Sequence, residues 1–120
     1  MISQSRRLLS SIPVTQVATL FRMNCKNESN ALALDSFARS SMAAVKASPG
    51  WMVSTRTVCK TEWSYEMVHV WSNAEDYGKW KESAERAEIL EKMPKFIQEE
   101  CEGMSMEEDV YVGARVWDEL

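Results

Sequence analysis

HVWSNAEDYGKW, residues 69–80, decides the fold of this chain, because an apolar strand turns here directly into a helix. The alternation up to Trp71 is typical of a strand. Ser72, followed three residues later by Glu75, has the spacing of a capping box and predicts a helix start. His69 is the only histidine of the chain, and two of its five tryptophans lie in this stretch. The corner therefore forms either a packed core or the wall of a ligand pocket.

The segments around this corner complete the order β-α-β-β-α-β. Apolar and β-branched runs predict strands at 14–23, 51–59, 64–71 and 110–117. Helices are predicted from an Asn cap at 27 or 30 to the Ser-Pro-Gly stop at 48–50, from 72 towards 93, and from 94 to about 101. This order predicts an α+β, ferredoxin-like fold, with a four-stranded antiparallel sheet and helices on one face.

Both faces of the predicted sheet are apolar. On the third strand Val68 and Val70 point one way, whereas His69 and Trp71 point the other way. The helices can cover only one of these faces. We therefore expect a homodimer in which a second copy buries the other face.

Length and charge limit the function classes. The chain has 120 residues, which is one domain, here residues 14–120. A net charge of −4 without a basic stripe excludes nucleic acid as an expected partner, and no apolar run is long enough to cross a membrane. One histidine and three separated cysteines lack the spacing of a metal site, so no metal and no cofactor are expected.

Residues 1–13, MISQSRRLLSSIP, differ from the rest in being basic, serine-rich and free of acidic residues. Two interpretations stay open: an organellar transit segment, and a loosely packed tail. The expected location is intracellular. It is mitochondrial or plastid if residues 1–13 function as a transit peptide.

Two motifs resemble the antibiotic biosynthesis monooxygenase family. These are SPGW at 48–51, which ends the first helix, and MVHVWSNAEDYGKWKES at 67–83. In the second motif Val70, Trp71 and the two capping-box positions match the family pattern, and Tyr77 and Trp80 match its helix aromatics. The resemblance implies a dimeric α/β barrel with a pocket between sheet and helices. Some members oxygenate phenolic substrates without metal or flavin.

A related branch of that superfamily degrades haem with an Asn on the first strand, a Trp in the second helix and a His about three turns further on. Trp80 matches the tryptophan, but Leu90 stands near the position of the histidine, and Asn24 lies only at the end of the first strand. The resemblance therefore does not imply haem as a cofactor.

The candidate site residues each have a structural alternative. His69 is the candidate general base because it titrates near neutral pH, or it is a sheet histidine bonded to a neighbour. Trp71, Tyr77 and Trp80 either stack on a planar ligand or fill the core. Arg56, like Arg115 on the last strand, either binds an anionic oxygen or extends into water.

Two functions follow from the sequence. The first is a cofactor-independent monooxygenase acting on a small aromatic or phenolic substrate. The alternative is a non-catalytic dimeric protein of the same fold that binds a small apolar molecule or serves as an accessory protein. A second polar group meeting His69 in an enclosed cavity would favour the first function.

Overall fold

The computed structural model describes residues 15–95 and 99 and, through their backbone alone, residues 109–112. The described strands are β1 Val17–Asn24, β2 Trp51–Cys59, β3 Ser64–Trp71 and β4 Asp109–Val112, and the helices are α1 Glu28–Ala47, α2 Ala74–Lys81 and α3 Ala84–Glu91. The strands lie in the order β2-β3-β1-β4, and each neighbouring pair is antiparallel. The predicted α+β class with an antiparallel sheet is confirmed. The segment 1–13, most of the helix predicted at 94–101 and the second half of the last predicted strand, including Arg115, lie outside the described residues.

Helix α1 begins and ends as its sequence indicates. The Asn27 side chain accepts a hydrogen bond from the Asn30 amide at 2.8 Å, which satisfies one of the free amides of the first turn. The helix stops before Ser48, and Gly50 then adopts a φ of +75°, which a residue without a Cβ reaches at little cost. The stripe that faces the sheet is the predicted one: Leu34, Phe37, Ala38, Ser41 and Val45.

Strands β2 and β3 form a hairpin with the predicted bounds. Cys59 pairs with Ser64, and the register runs from there along both strands to a bulge near Met52. Trp63 takes a left-handed φ of +56°, and its amide donates to the Cys59 carbonyl at 2.7 Å. The turn therefore sets which side chains of the two strands lie opposite one another.

The strand-to-helix corner is built one residue later than the sequence predicted. Asn73, and not Ser72, caps α2, since it has the extended backbone of a cap and accepts from the Asp76 amide at 2.8 Å. The Ser72 amide is already bonded to the Gly50 carbonyl at 2.8 Å, so the corner is tied to the turn that ends α1. The capping box predicted at Ser72 and Glu75 is therefore wrong in its members, although a helix does begin here.

The helical region after the corner is divided at 82–83, and Gly78 lies inside α2 without interrupting it. Ser83 caps α3, because its hydroxyl accepts from the Arg86 amide at 3.1 Å. A second local cap explains the break better than the weak helix propensity of glycine.

The described helices pack on the sheet face that carries His69, and two core clusters form there. One cluster, at the hairpin end, comprises Met23, Cys25, Ala31, Leu34 and Tyr65. The other, at the corner end, comprises Val17, Val45, Trp71, Tyr77 and Trp80. The opposite face of the sheet carries a row of Leu20, Val68 and Thr55. Within the described part of the chain, no helix combines the length and the apolarity that crossing a bilayer requires.

Candidate ligand cavity at the sheet–helix interface

A cavity of about 90 Å³ lies between the two core clusters. The cavity is lined by Leu34 and Tyr65 of the first cluster and by Val45 and Trp80 of the second. The remaining lining residues are Phe21, Phe37, Ala38, Ser41, Met42, Met67, His69, Arg86, Ile89, Leu90 and Met93. The cavity is therefore mainly apolar, with few polar groups, as is common for small-molecule sites.

His69 and Trp80 line this same cavity, one from the sheet and one from α2. His69 is 8% exposed, and its ring meets that of Trp71 edge-on with centroids 6.0 Å apart. The helix thus folds back over the strand face of His69, and the side chains at the two ends of the HVWSNAEDYGKW stretch come together.

A chain of hydrogen bonds fixes the His69 ring. The Trp51 indole N–H donates to Ser54 Oγ at 2.9 Å, and Ser54 Oγ lies 2.6 Å from His69 Nδ1. An indole can only donate, so one lone pair of the Ser54 oxygen is occupied by Trp51. We assign the Ser54 hydroxyl as the donor to Nδ1, because this arrangement uses both the proton and the oxygen of Ser54. The ring proton of His69 then lies on Nε2.

Burial sets the charge of His69. Removal from water disfavours the imidazolium and lowers the pKa of His69 from 6.5 to about 4. The ring is therefore neutral at physiological pH, and it is a weaker base than an exposed histidine.

Thr19 extends the polar groups along the sheet. It lies opposite His69 on β1, as Ser54 does on β2, so the three side chains form one row across three strands. Thr19 is 1% exposed, and its hydroxyl has no hydrogen-bond partner within the described part of the molecule. Thr19 does not line the cavity, so its buried hydroxyl is a local cost to stability and is not assigned to ligand binding.

The other predicted aromatic residues pack behind the cavity and do not line it. Trp71 is fully buried and stacks on Trp80, with ring centroids 6.1 Å apart, while Tyr77 meets Trp71 edge-on at 5.2 Å. The Trp71 indole donates to Ser48 Oγ at 3.0 Å. Trp71 and Tyr77 therefore hold Trp80 in place, and Trp80 alone of these three forms part of the wall.

Arg56 lies in a groove beside the cavity, between α1 and the edge strand β2. The groove has a volume of about 280 Å³ and is also lined by Arg39, Lys46 and Asp35. Asp35 accepts hydrogen bonds from both arginines and, at 2.9 Å, from the Tyr65 hydroxyl. The structure thus separates Arg56 from His69 and joins it to a carboxylate that the sequence analysis did not single out.

The partners of Asp35 determine its charge. Burial by itself raises the pKa of the Asp35 carboxyl, but hydrogen bonds from Arg56, Tyr65 and Arg39 outweigh it and hold that pKa below its usual value. Burial and the neighbouring Asp35 raise the pKa of the Tyr65 hydroxyl. Asp35 is therefore a carboxylate that orients two guanidinium groups.

Arg86 brings a positive charge to the cavity from the helix side. It is half-buried, and no described carboxylate forms an ion pair with its guanidinium. Among the described residues, no three His, Cys, Asp or Glu side chains lie close enough together to hold a metal ion. Cys59 is a free thiol.

Sequence reasoning missed Ser54, although a signal for it was present. Once the hairpin turn places Cys59 opposite Ser64, counting back along both strands places Ser54 opposite His69. The pair Asp35 and Tyr65 had no comparable signal, because it joins a helix to a strand 30 residues away.

The solved structures that resemble this one include oxygenases. No protein-family model matches the sequence, and neither does any curated protein. SnoaB from Streptomyces nogalater, a cofactor-independent oxygenase, superposes with a TM-score of 0.62 at 12% identity, over 81% of this chain and 91% of that one. Proteins described as antibiotic biosynthesis monooxygenases from Nitrosomonas europaea and Caulobacter crescentus have TM-scores of 0.60 and 0.61, each at 12% identity. They cover 82% and 89% of this chain, and the matches span 89% and 96% of their own lengths. The chain therefore has the fold of the antibiotic biosynthesis monooxygenases.

Proposed function

We propose that this protein is a cofactor-independent monooxygenase that oxidises a small phenolic aromatic substrate in the cavity between His69 and Trp80. The observation that supports this most is a neutral, oriented imidazole on the wall of an apolar cavity, in the fold of a known cofactor-independent oxygenase. The apolar walls suit an aromatic ring, and the few polar groups suit its oxygen.

The role proposed for His69 is that of a hydrogen-bond donor, in place of the general base suggested by the sequence. Taking a proton from a phenol with a pKa near 10 onto an imidazole with a pKa of about 4 is uphill by roughly 8 kcal/mol. A neutral Nε2–H can instead donate to a phenolate oxygen and stabilise its charge. Arg86 on the opposite wall supplies a positive charge that favours the same anion.

The chemistry needs no electron donor other than the substrate. The electron-rich phenol is ionised by loss of its proton to water and gives electrons to dioxygen. One oxygen atom forms a bond to a ring carbon, and the O–O bond breaks. With 1,5-dihydroxynaphthalene the balance is one C10H8O2 and one O2 giving one 5-hydroxy-1,4-naphthoquinone, C10H6O3, and one water. The substrate loses four electrons and two hydrogens, and the second oxygen atom leaves in water.

The test is oxygen uptake with 1,5-dihydroxynaphthalene, followed with 18O2. We expect one O2 consumed per quinone and one labelled oxygen atom in the product, at a rate above that of autoxidation. His69→Phe and Trp80→Phe should lower the rate at least tenfold. Trp63→Phe is the matched control, because Trp63 packs at the hairpin and does not line the cavity.

Uptake at the autoxidation rate with this and other electron-rich phenols would contradict the proposal. Retained binding of the same phenols would then favour the alternative, a non-catalytic ligand-binding or accessory protein. That alternative predicts binding that His69→Phe weakens, without any product.

We also propose that the four-stranded ferredoxin-like sheet pairs with that of a second copy to form a dimeric α/β barrel. The face turned away from the described helices supports this, since its row Leu20, Val68 and Thr55 is largely apolar. Val68 and Thr55 in this row are only half-buried, whereas Leu20 is buried. Burying such a face against an identical one is a common solution for small sheets.

A further inference from the structure

The groove that holds Arg56 adjoins the cavity that holds His69. Met42, Tyr65 and Met67 line both, so the two spaces lie on either side of the same three side chains. Two of these are methionines, which are unbranched and adapt to a ligand more readily than other apolar side chains. A ligand that occupies both spaces must pass between these side chains, which requires one of the two methionines to move.

The groove is positively charged in a chain that is acidic as a whole. Arg39, Lys46 and Arg56 line it against one carboxylate, Asp35, whereas the chain has a net charge of −4. Asp35 accepts from only some of the N–H donors of the two arginines. Its carboxylate is bonded to Nε of Arg39 and to one terminal nitrogen of Arg56. A guanidinium has five N–H donors, so both retain donors for a second anion.

The cavity is too small to enclose a ligand of more than one ring. A cavity of about 90 Å³ is smaller than the roughly 150 Å³ apolar cavity that holds one benzene molecule. The adjoining groove, of about 280 Å³, has room for the remainder of a substrate with more than one ring.

We propose that the ligand of this site is an aromatic acid, with its phenolic end in the cavity at His69 and a carboxylate in the groove at Arg39 and Lys46. Asp35 holds the Arg39 guanidinium at the groove through Nε, which leaves the terminal N–H groups of Arg39 for the ligand. The assignment of the phenolic end rests on the proposed function, whereas the assignment of the carboxylate rests on the groove alone.

The experiment compares two probes of equal shape, 6-hydroxy-2-naphthoate and 6-hydroxy-2-naphthamide, by isothermal titration calorimetry. Each has a phenol at one end, and only the first has a charge at the other end. We expect the naphthoate to bind about tenfold more tightly, since a charge-assisted contact is worth about this factor. The double variant Arg39→Gln/Lys46→Gln should remove that advantage and change amide binding less than twofold.

Arg22→Gln is the matched control, because Arg22 is an exposed strand arginine paired with Glu66 on the other face of the sheet. It should leave both affinities unchanged. Equal affinity of the two probes for the wild-type protein, or a naphthoate advantage that survives the double variant, would overturn the proposal. Oxygen uptake with 1,5-dihydroxynaphthalene, which has no carboxylate, reports on the proposed function independently of this result.

Discussion

Replacing Gly50 by alanine tests how the turn after α1 is joined to the corner that carries the candidate site. Gly50 has a φ of +75°, which costs an alanine about 1 kcal/mol. A Cβ there would lie 2.5 Å from Asp76 Oδ2 and 2.7 Å from Asp76 Cβ. Asp76 cannot move freely, because its carboxylate and amide both bond the capping residue Asn73. Loss of that cap adds about 1 kcal/mol, so we expect Gly50→Ala to lower the free energy of unfolding by about 2–3 kcal/mol.

Gly78→Ala is the matched control. A Cβ at Gly78 meets nothing within 4 Å, and the residue lies inside α2, where alanine is favoured by about 1 kcal/mol. Urea unfolding of the two variants should therefore give changes of opposite sign. With about 4 °C of Tm per kcal/mol, Gly50→Ala should melt about 10 °C lower and Gly78→Ala about 4 °C higher than the wild type. A Gly50→Ala protein as stable as the wild type would refute the tight junction described for the corner.

Three further predictions concern His69, Asp35 and the outer sheet face. Because burial lowers the pKa of His69 from 6.5 to about 4, the unfolded chain binds the extra proton first as the pH falls. Stability should therefore drop by up to about 3 kcal/mol between pH 6.5 and 4. His69→Gln should not show this loss when its free energy of unfolding is measured with urea at each pH. Wild-type and variant stabilities that fall in parallel with pH would contradict this prediction. Tyr65→Phe removes a hydrogen bond to the Asp35 carboxylate and should lower the free energy of unfolding by about 1–2 kcal/mol, measured with urea; no change would argue against that bond. Val68→Arg on the outer face should convert a dimer to a monomer in sedimentation velocity, whereas Ala43→Arg on the exposed side of α1 should not; a monomeric wild type would refute the dimer.

The sequence was sufficient for those parts of the fold that depend on local signals. The bounds of β2 and β3 follow from their alternation and from the polar turn between them, and the structure has the same bounds. The stripe on α1 was predictable because helical spacing alone determines it. The capping residue of α2 was misplaced by one position, because Ser72 and Asn73 are both good caps and the hydrogen bond from Ser72 to Gly50 decides between them.

The candidate site was only partly predictable, since it depends on how elements pack. That His69 and Trp80 come together depends on which sheet face the helices cover, and both faces are apolar in sequence. Arg56 was chosen as a site residue for its place on a strand, but its neighbour Asp35 comes from a helix, and no sequence spacing links the two.

The most direct test of the account is nitrogen NMR of the protein labelled with 15N only in histidine. The chain has one histidine, so the only labelled nitrogens are the two of the His69 ring and its backbone amide, and the amide resonates apart from the ring. We predict a neutral ring at pH 7 with its proton on Nε2, a titration midpoint at a pH of about 4, and a change in both signals when 1,5-dihydroxynaphthalene is added. A midpoint near 6.5 together with signals unaffected by this phenol would contradict a buried His69 that faces a ligand cavity.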